Sequence, residues 1–142
     1  MKPCIILRRG CRARGRMENK DRETWVGKNR LYLGEDNILY LTIFGEVDEK
    51  IETRINEATL KLMNMVEGKV NTLIDLNKAG KTSPGARKRQ KEISEHEKVG
   101  RVALFGLHPV AKVIASFFMG LSKNKNMRFF KTKEEALAWL NE

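Results

Sequence analysis

The sequence predicts a single mixed α/β domain, with a mostly parallel sheet, an antiparallel N-terminal hairpin and covering helices. Three observations lead there. Between Val70 and Leu140 strand-like and helix-like runs alternate three times; two apolar runs before them flank a turn-forming tetrad; and 142 residues at 41% hydrophobic suit one core. The predicted order is ββαβαβαβα, in which parallel neighbours need crossover helices. Residues 30–142 form the expected domain, after a basic, disordered extension over 1–16 and a polar lead-in over 17–29.

Taken in order, Arg30–Leu33 and Ile38–Phe44 are apolar, partly β-branched or aromatic, and Gly34-Glu35-Asp36-Asn37 between them is turn chemistry. From Asp48, the apolar residues Ile51, Ile55, Ala58, Leu62 and Met65 recur every three or four positions, which predicts a helix closed by Gly68. Val70–Leu76 is apolar enough for a central strand covered on both faces, with Asp75 near its C-terminal end. A polar loop over Asn77–Ser83 is expected next. Ser83 then caps a helix with Pro84 in its first turn, running to about His96. Arg101–Phe105 is a further strand, Val110 to Leu121 a helix, and Met127–Phe130 the last strand. Thr132 and Glu135 have capping-box spacing ahead of Ala136, Trp139 and Leu140.

The net charge of +10 invites a nucleic-acid reading, but six of the ten charges lie in residues 1–16, and residues 17–142 carry 22 basic against 18 acidic side chains. Nucleic acid is therefore not the expected partner. The basic stretch reads as an extension from an upstream start codon, with Met17 opening the natural chain; an RNA- or membrane-contacting arm is the alternative. No apolar run approaches the roughly 18 residues of a membrane span, so a cytoplasmic location is expected, with peripheral membrane contact as a variant. Cys4 and Cys11 match no zinc or redox spacing, and no metal or cofactor is expected.

Catalysis has little support. His96 sits between Glu95 and Glu97, and His108 precedes Pro109, neither beside a nucleophile. Gly80-Lys81-Thr82 looks like the end of a phosphate-binding loop, yet the full pattern needs glycine where Asp75 stands. The expected protein is not an enzyme. Arg87-Lys88-Arg89-Gln90-Lys91 reads as a solvated helix face, or else as a dock for an acidic partner or anionic membrane.

Three segments carry a family resemblance: Leu73-Ile74-Asp75-Leu76 before a basic helix, Arg101–Gly106 before an apolar helix, and Met127–Phe130 before Glu134–Leu140. Together, over about residues 30–140, they resemble the SpoIIAA-like branch of the STAS family. That fold is related to anti-sigma-factor antagonists and to lipid-binding domains of the Sec14 type. In the antagonists a serine in Asp-Ser-Ser-Gly, at the start of the helix after the central strand, is phosphorylated. The motif falls on Thr82-Ser83-Pro84-Gly85, where Ser83 and Gly85 match while Thr82 and Pro84 depart.

The resemblance implies a regulatory module that binds a protein partner through the hairpin and the Ser83 helix edge, with a phospho-switch at Ser83 and with Asp75, Lys81, Thr82 and Arg87 as candidate contacts. A plain N-cap is the simpler role for Ser83. The alternative is a small hydrophobic-ligand or lipid-binding domain built on the 110–121 helix, which is apolar nearly all round. Phe117, Phe118 and Met119 would then meet a lipid, an anionic membrane surface or a second protomer in a homodimer, beside a lysine-bearing gate over Ser122–Asn126.

Overall fold

A computed structural model describes residues 21–106 and 126–142. Its elements are β1 (Glu23–Val26), β2 (Asn29–Leu33), β3 (Leu39–Val47), α1 (Glu49–Met63), β4 (Val70–Thr82), α2 (Pro84–Ser94), β5 (Val99–Phe105), β6 (Met127–Phe130) and α3 (Lys133–Leu140). The six strands form one sheet in sequential order. The β1–β2 and β2–β3 pairs are antiparallel, and the β3–β4, β4–β5 and β5–β6 pairs are parallel. The expected mixed sheet with an N-terminal hairpin is what forms, with one strand added at its edge. The helix expected at 110–121 lies outside the described residues.

Each parallel step advances in the same direction across the sheet, so right-handed crossovers place α1 and α2 on one face. There Leu31, Leu39, Leu41, Ile55, Leu62 and Leu104 belong to one buried cluster. On the opposite face α3 buries Ala136 and Leu140 against Ile38, Leu73, Ala103 and Phe105. Thr132 caps α3, its hydroxyl accepting from Glu135 N at 3.2 Å. The far end of α3 is closed from the sheet: Arg101 Nη1 donates to Trp139 O at 2.6 Å and Asn71 Nδ2 to Leu140 O at 3.1 Å. A cation at the C-terminus also suits the helix dipole. Arg101 and Arg128 both lie over the Trp139 ring, which packs against Phe130.

Several boundaries differ from expectation, and β3 runs on to Val47 while β5 starts at Val99. β1 pairs with β2 through a turn in which Gly27 has φ of +62°, within the stretch expected to be polar lead-in. α1 ends at Met63 with Asn64 as its cap, so Gly68 lies in the following turn and Met65 is 43% exposed. α2 stops at Ser94, and His96 turns the chain by accepting from Lys98 N through Nδ1 at 3.0 Å. Most consequentially, the loop expected over 77–83 is strand: β4 continues to Thr82 beside β3. Two register shifts, between Thr42 and Phe44 and between Gly45 and Val47, let three steps of β4 oppose two of β3. Edge pairing thus satisfies the backbone of a segment whose composition signals a turn.

A candidate functional site at the β4–α2 junction

The sheet splits where β4 outruns β5. Asp75 is the last β4 residue paired with β5, facing Phe105, and beyond it, among the described residues, β4 pairs only with β3. Asp75 is therefore mid-strand and not at the strand end expected. Its Oδ1 accepts from the backbone N and the Nδ2 of Asn77, at 2.9 and 3.0 Å.

At the tip of β4, Ser83 N donates to Val47 O at 3.0 Å, tying the junction to the end of β3. The Ser83 hydroxyl, half-buried, accepts from Ala86 N at 3.1 Å and caps α2, with Pro84 in the first turn. Arg87 folds back so that Nη1 donates to Thr82 O at 2.7 Å. Lys81 is exposed and Thr82 half-buried. The structure thus brings Lys81, Thr82, Ser83 and Arg87 together. Asp75 is excluded, because the seven strand residues between it and Ser83 set the two roughly 25 Å apart. Phe117, Phe118 and Met119 lie outside the described residues.

The basic run on α2 is not simply a solvated face. Arg89 pairs with Glu49 on α1 and with Glu92, both at 3.1 Å, and these carboxylates raise its pKa. Gln90 Nε2 donates to Glu52 Oε1 at 3.0 Å, and Asn56 Nδ2 to Arg89 O at 3.1 Å. These bonds form a polar seam between α1 and α2. At its upper end Gly85 lets the helices meet: a Cβ there would lie 2.9 Å from the Glu49 Cβ.

Two features have weaker sequence signals. Glu52 is buried at 4% exposure on the stripe shared by Ile55, Thr59 and Leu62, and burial raises its pKa to about 7 against the lowering effect of Gln90. An acid three residues before Ile55 and seven before Thr59 was the available clue. The second is the hairpin's outer face. Strand register puts Trp25, Arg30, Tyr32, Tyr40 and Phe44 on the side away from α1, with Tyr32 and Tyr40 stacked at 4.8 Å. Trp25 is 56% and Phe44 41% exposed, while Arg30 lies over Tyr32 and Lys28 over Phe44. Tyr40 donates its hydroxyl to Asp36 at 2.6 Å, and burial with this contact raises its pKa.

Among the described residues no group of histidines, cysteines and carboxylates could hold a metal ion, and no helix is long and apolar enough to cross a membrane.

Comparison with known structures matches this architecture. An uncharacterised protein of the DUF3478 family with a SpoIIAA-like fold, from Shewanella loihica PV-4, superposes with a TM-score of 0.59 at 16% identity, covering 79% of this chain and 91% of that one. The anti-sigma factor antagonist SpoIIAA in its unphosphorylated form gives a TM-score of 0.57 at 14% identity, over 80% of this chain and 97% of that one. The chain therefore has a SpoIIAA-like fold. No curated protein matches the sequence. The profile of a family described as a domain of unknown function matches residues 32–142, and the chain belongs to that family, DUF7793.

Proposed function

We propose that the protein is a non-enzymatic regulatory module that binds a protein partner through the outer face of its hairpin, with Ser83 as a phosphorylation switch. The observation that carries this reading is the exposed aromatic surface of Trp25 and Phe44, joined to the Tyr32–Tyr40 stack and bordered by Lys28 and Arg30. Aromatic and arginine side chains anchor protein interfaces more than their share of surface. The similarity to an anti-sigma factor antagonist adds the kind of role such a fold supports, a protein that acts by binding another.

Ser83 suits the switch chemically. A phosphoryl group there gains the N-terminal end of α2, whose first turn holds no acid, and the nearby Lys81 and Arg87. It also brings dianionic charge toward Glu49, which touches Gly85 two residues on and is held by Arg89. Phosphorylation thus pushes on the α1–α2 seam while its charge is stabilised at the helix start.

The test combines mass spectrometry of protein isolated from its own cells with binding by variants. A phosphoryl group on the Ser83 peptide and a stoichiometric partner lost on Trp25→Ala are expected. Ser83→Ala should cost about 1 kcal/mol of stability through the lost cap and abolish the modification without unfolding the chain. An unmodified Ser83, or a partner indifferent to Trp25→Ala, would remove the corresponding half of the proposal.

A further inference from the structure

A cavity of about 100 Å³ lies between α1, α2 and the sheet, far larger than one water requires. Its two sides differ in chemistry. Ile43, Ile74, Val102 and Leu104 give it an apolar floor on the sheet, while Glu52, Asn56 and Thr59 of α1 and Gln90 and Ser94 of α2 bring polar groups to the helix side, with Thr82 at the end of β4. Among the described residues Glu52 is the one charged residue in this wall. It is 4% exposed, and no cation pairs with it.

The hydrogen bonds already made leave the wall rich in acceptors. Gln90 Nε2 is turned to Glu52 Oε1, and Asn56 Nδ2 to Arg89 O, so both amides spend their nitrogen within the protein. Among the described residues Gln90 Oε1, Asn56 Oδ1 and Glu52 Oε2 accept no hydrogen bond. Asn56 follows Glu52 by one helical turn and Gln90 touches it directly, so these oxygens belong to one stretch of wall.

Buried acids are ordinarily paired with a cation, because burial strips a charge of its water without return. Glu52 has only a neutral amide beside it, and desolvation accordingly raises its pKa to about 7. We infer that this cavity binds a small primary ammonium compound, whose N–H donors meet Glu52, Asn56 and Gln90 and whose short alkyl body lies on the apolar floor. An ammonium head supplies what the wall lacks, a positive charge and three donors with no acceptor. An alcohol of the same length would bring one donor and no charge. This site is separate from Ser83 and from the hairpin face, and it stands or falls independently of them.

The experiment is a methyl NMR titration of the full chain with n-butylammonium chloride at pH 8, above the Glu52 pKa of about 7, with 1-butanol as an uncharged probe of the same space. Butylammonium shifts are expected to saturate and to concentrate on the methyls of Ile55, Ile74, Ile93 and Leu104, which line the cavity. Butanol should bind about tenfold more weakly. Glu52→Gln should weaken butylammonium binding by about tenfold or more and leave butanol binding unchanged, since it removes the charge and keeps the shape. The variant sheds a buried carboxylate, so at this pH it is expected to fold at least as stably as the parent. Absent or scattered methyl shifts, equal affinity for the two probes, or butylammonium affinity unchanged in Glu52→Gln would each overturn the inference.

Discussion

Replacing Glu52 with glutamine is expected to stabilise the protein by about 3 kcal/mol at pH 8 and to change little near pH 4. The parent carboxyl titrates at about 7 in the folded state against 4.5 for a solvated glutamate, chiefly because burial penalises its charge. Between those two values the unfolded chain has released a proton that the folded chain keeps. Stability must therefore fall as pH rises through this window, being fully retained below 4.5 and lost once pH passes about 7, with each pH step of one costing about 1.4 kcal/mol. Glutamine has nearly the same shape, still accepts from Gln90, and has no proton to lose. Urea unfolding at several pH values should show the two stability curves converging in acid and separating above neutrality. Curves that run parallel across the range would show that Glu52 carries no such penalty.

Gly106→Ala should lower stability by about 3 kcal/mol. Gly106 has φ of +149°, a region L-residues rarely enter, and an added Cβ would lie 2.9 Å from the Leu76 carbonyl carbon and 3.0 Å from Asn77 N. Both neighbours are backbone, so no side chain can swing aside. Local strain of about 1–3 kcal/mol adds to an overpacking cost of similar size. Gly68→Asn is the matched control, since Gly68 has φ of +80° with nothing within 4 Å of a Cβ, and asparagine tolerates that conformation. Thermal unfolding of the two variants should separate them clearly; equal losses would mean that the close approach to β4 is unimportant.

Where the chain's pattern and its local chemistry agree, the elements were legible in the sequence. Ile51, Ile55, Ala58 and Leu62 announced α1, and Thr132 with Glu135 announced the start of α3. Ser83 was legible as a cap because a hydroxyl before Pro84 has few better uses. What escaped depended on partners distant in sequence. β1 is only four residues long and follows charged chain, so its pairing with β2 decides its state. The second half of β4 is strand because β3 extends beside it, against the preference of Asn77, Lys78 and Gly80. The candidate site was legible in part for the same reason. Ser83, Thr82 and Arg87 are neighbours in sequence and stay together, whereas the hairpin aromatics stand out only once register shows that they share the face away from α1.

The extension of β4 also bears on which changes in chain length the protein can absorb. A surface loop before α2 would accept an inserted or deleted residue at little cost. A strand cannot, since a slip of one residue turns every following side chain to the opposite face. Removing one residue between Asn77 and Thr82 would pull Ser83 away from Val47 O and rotate the entry into α2 with respect to α1. The two bulges already hold the surplus length that brings the helix into phase with the sheet. Natural or engineered variation in length should therefore be selected against here, so the spacing between Asp75 and Ser83 acts as a fixed measure in the chain.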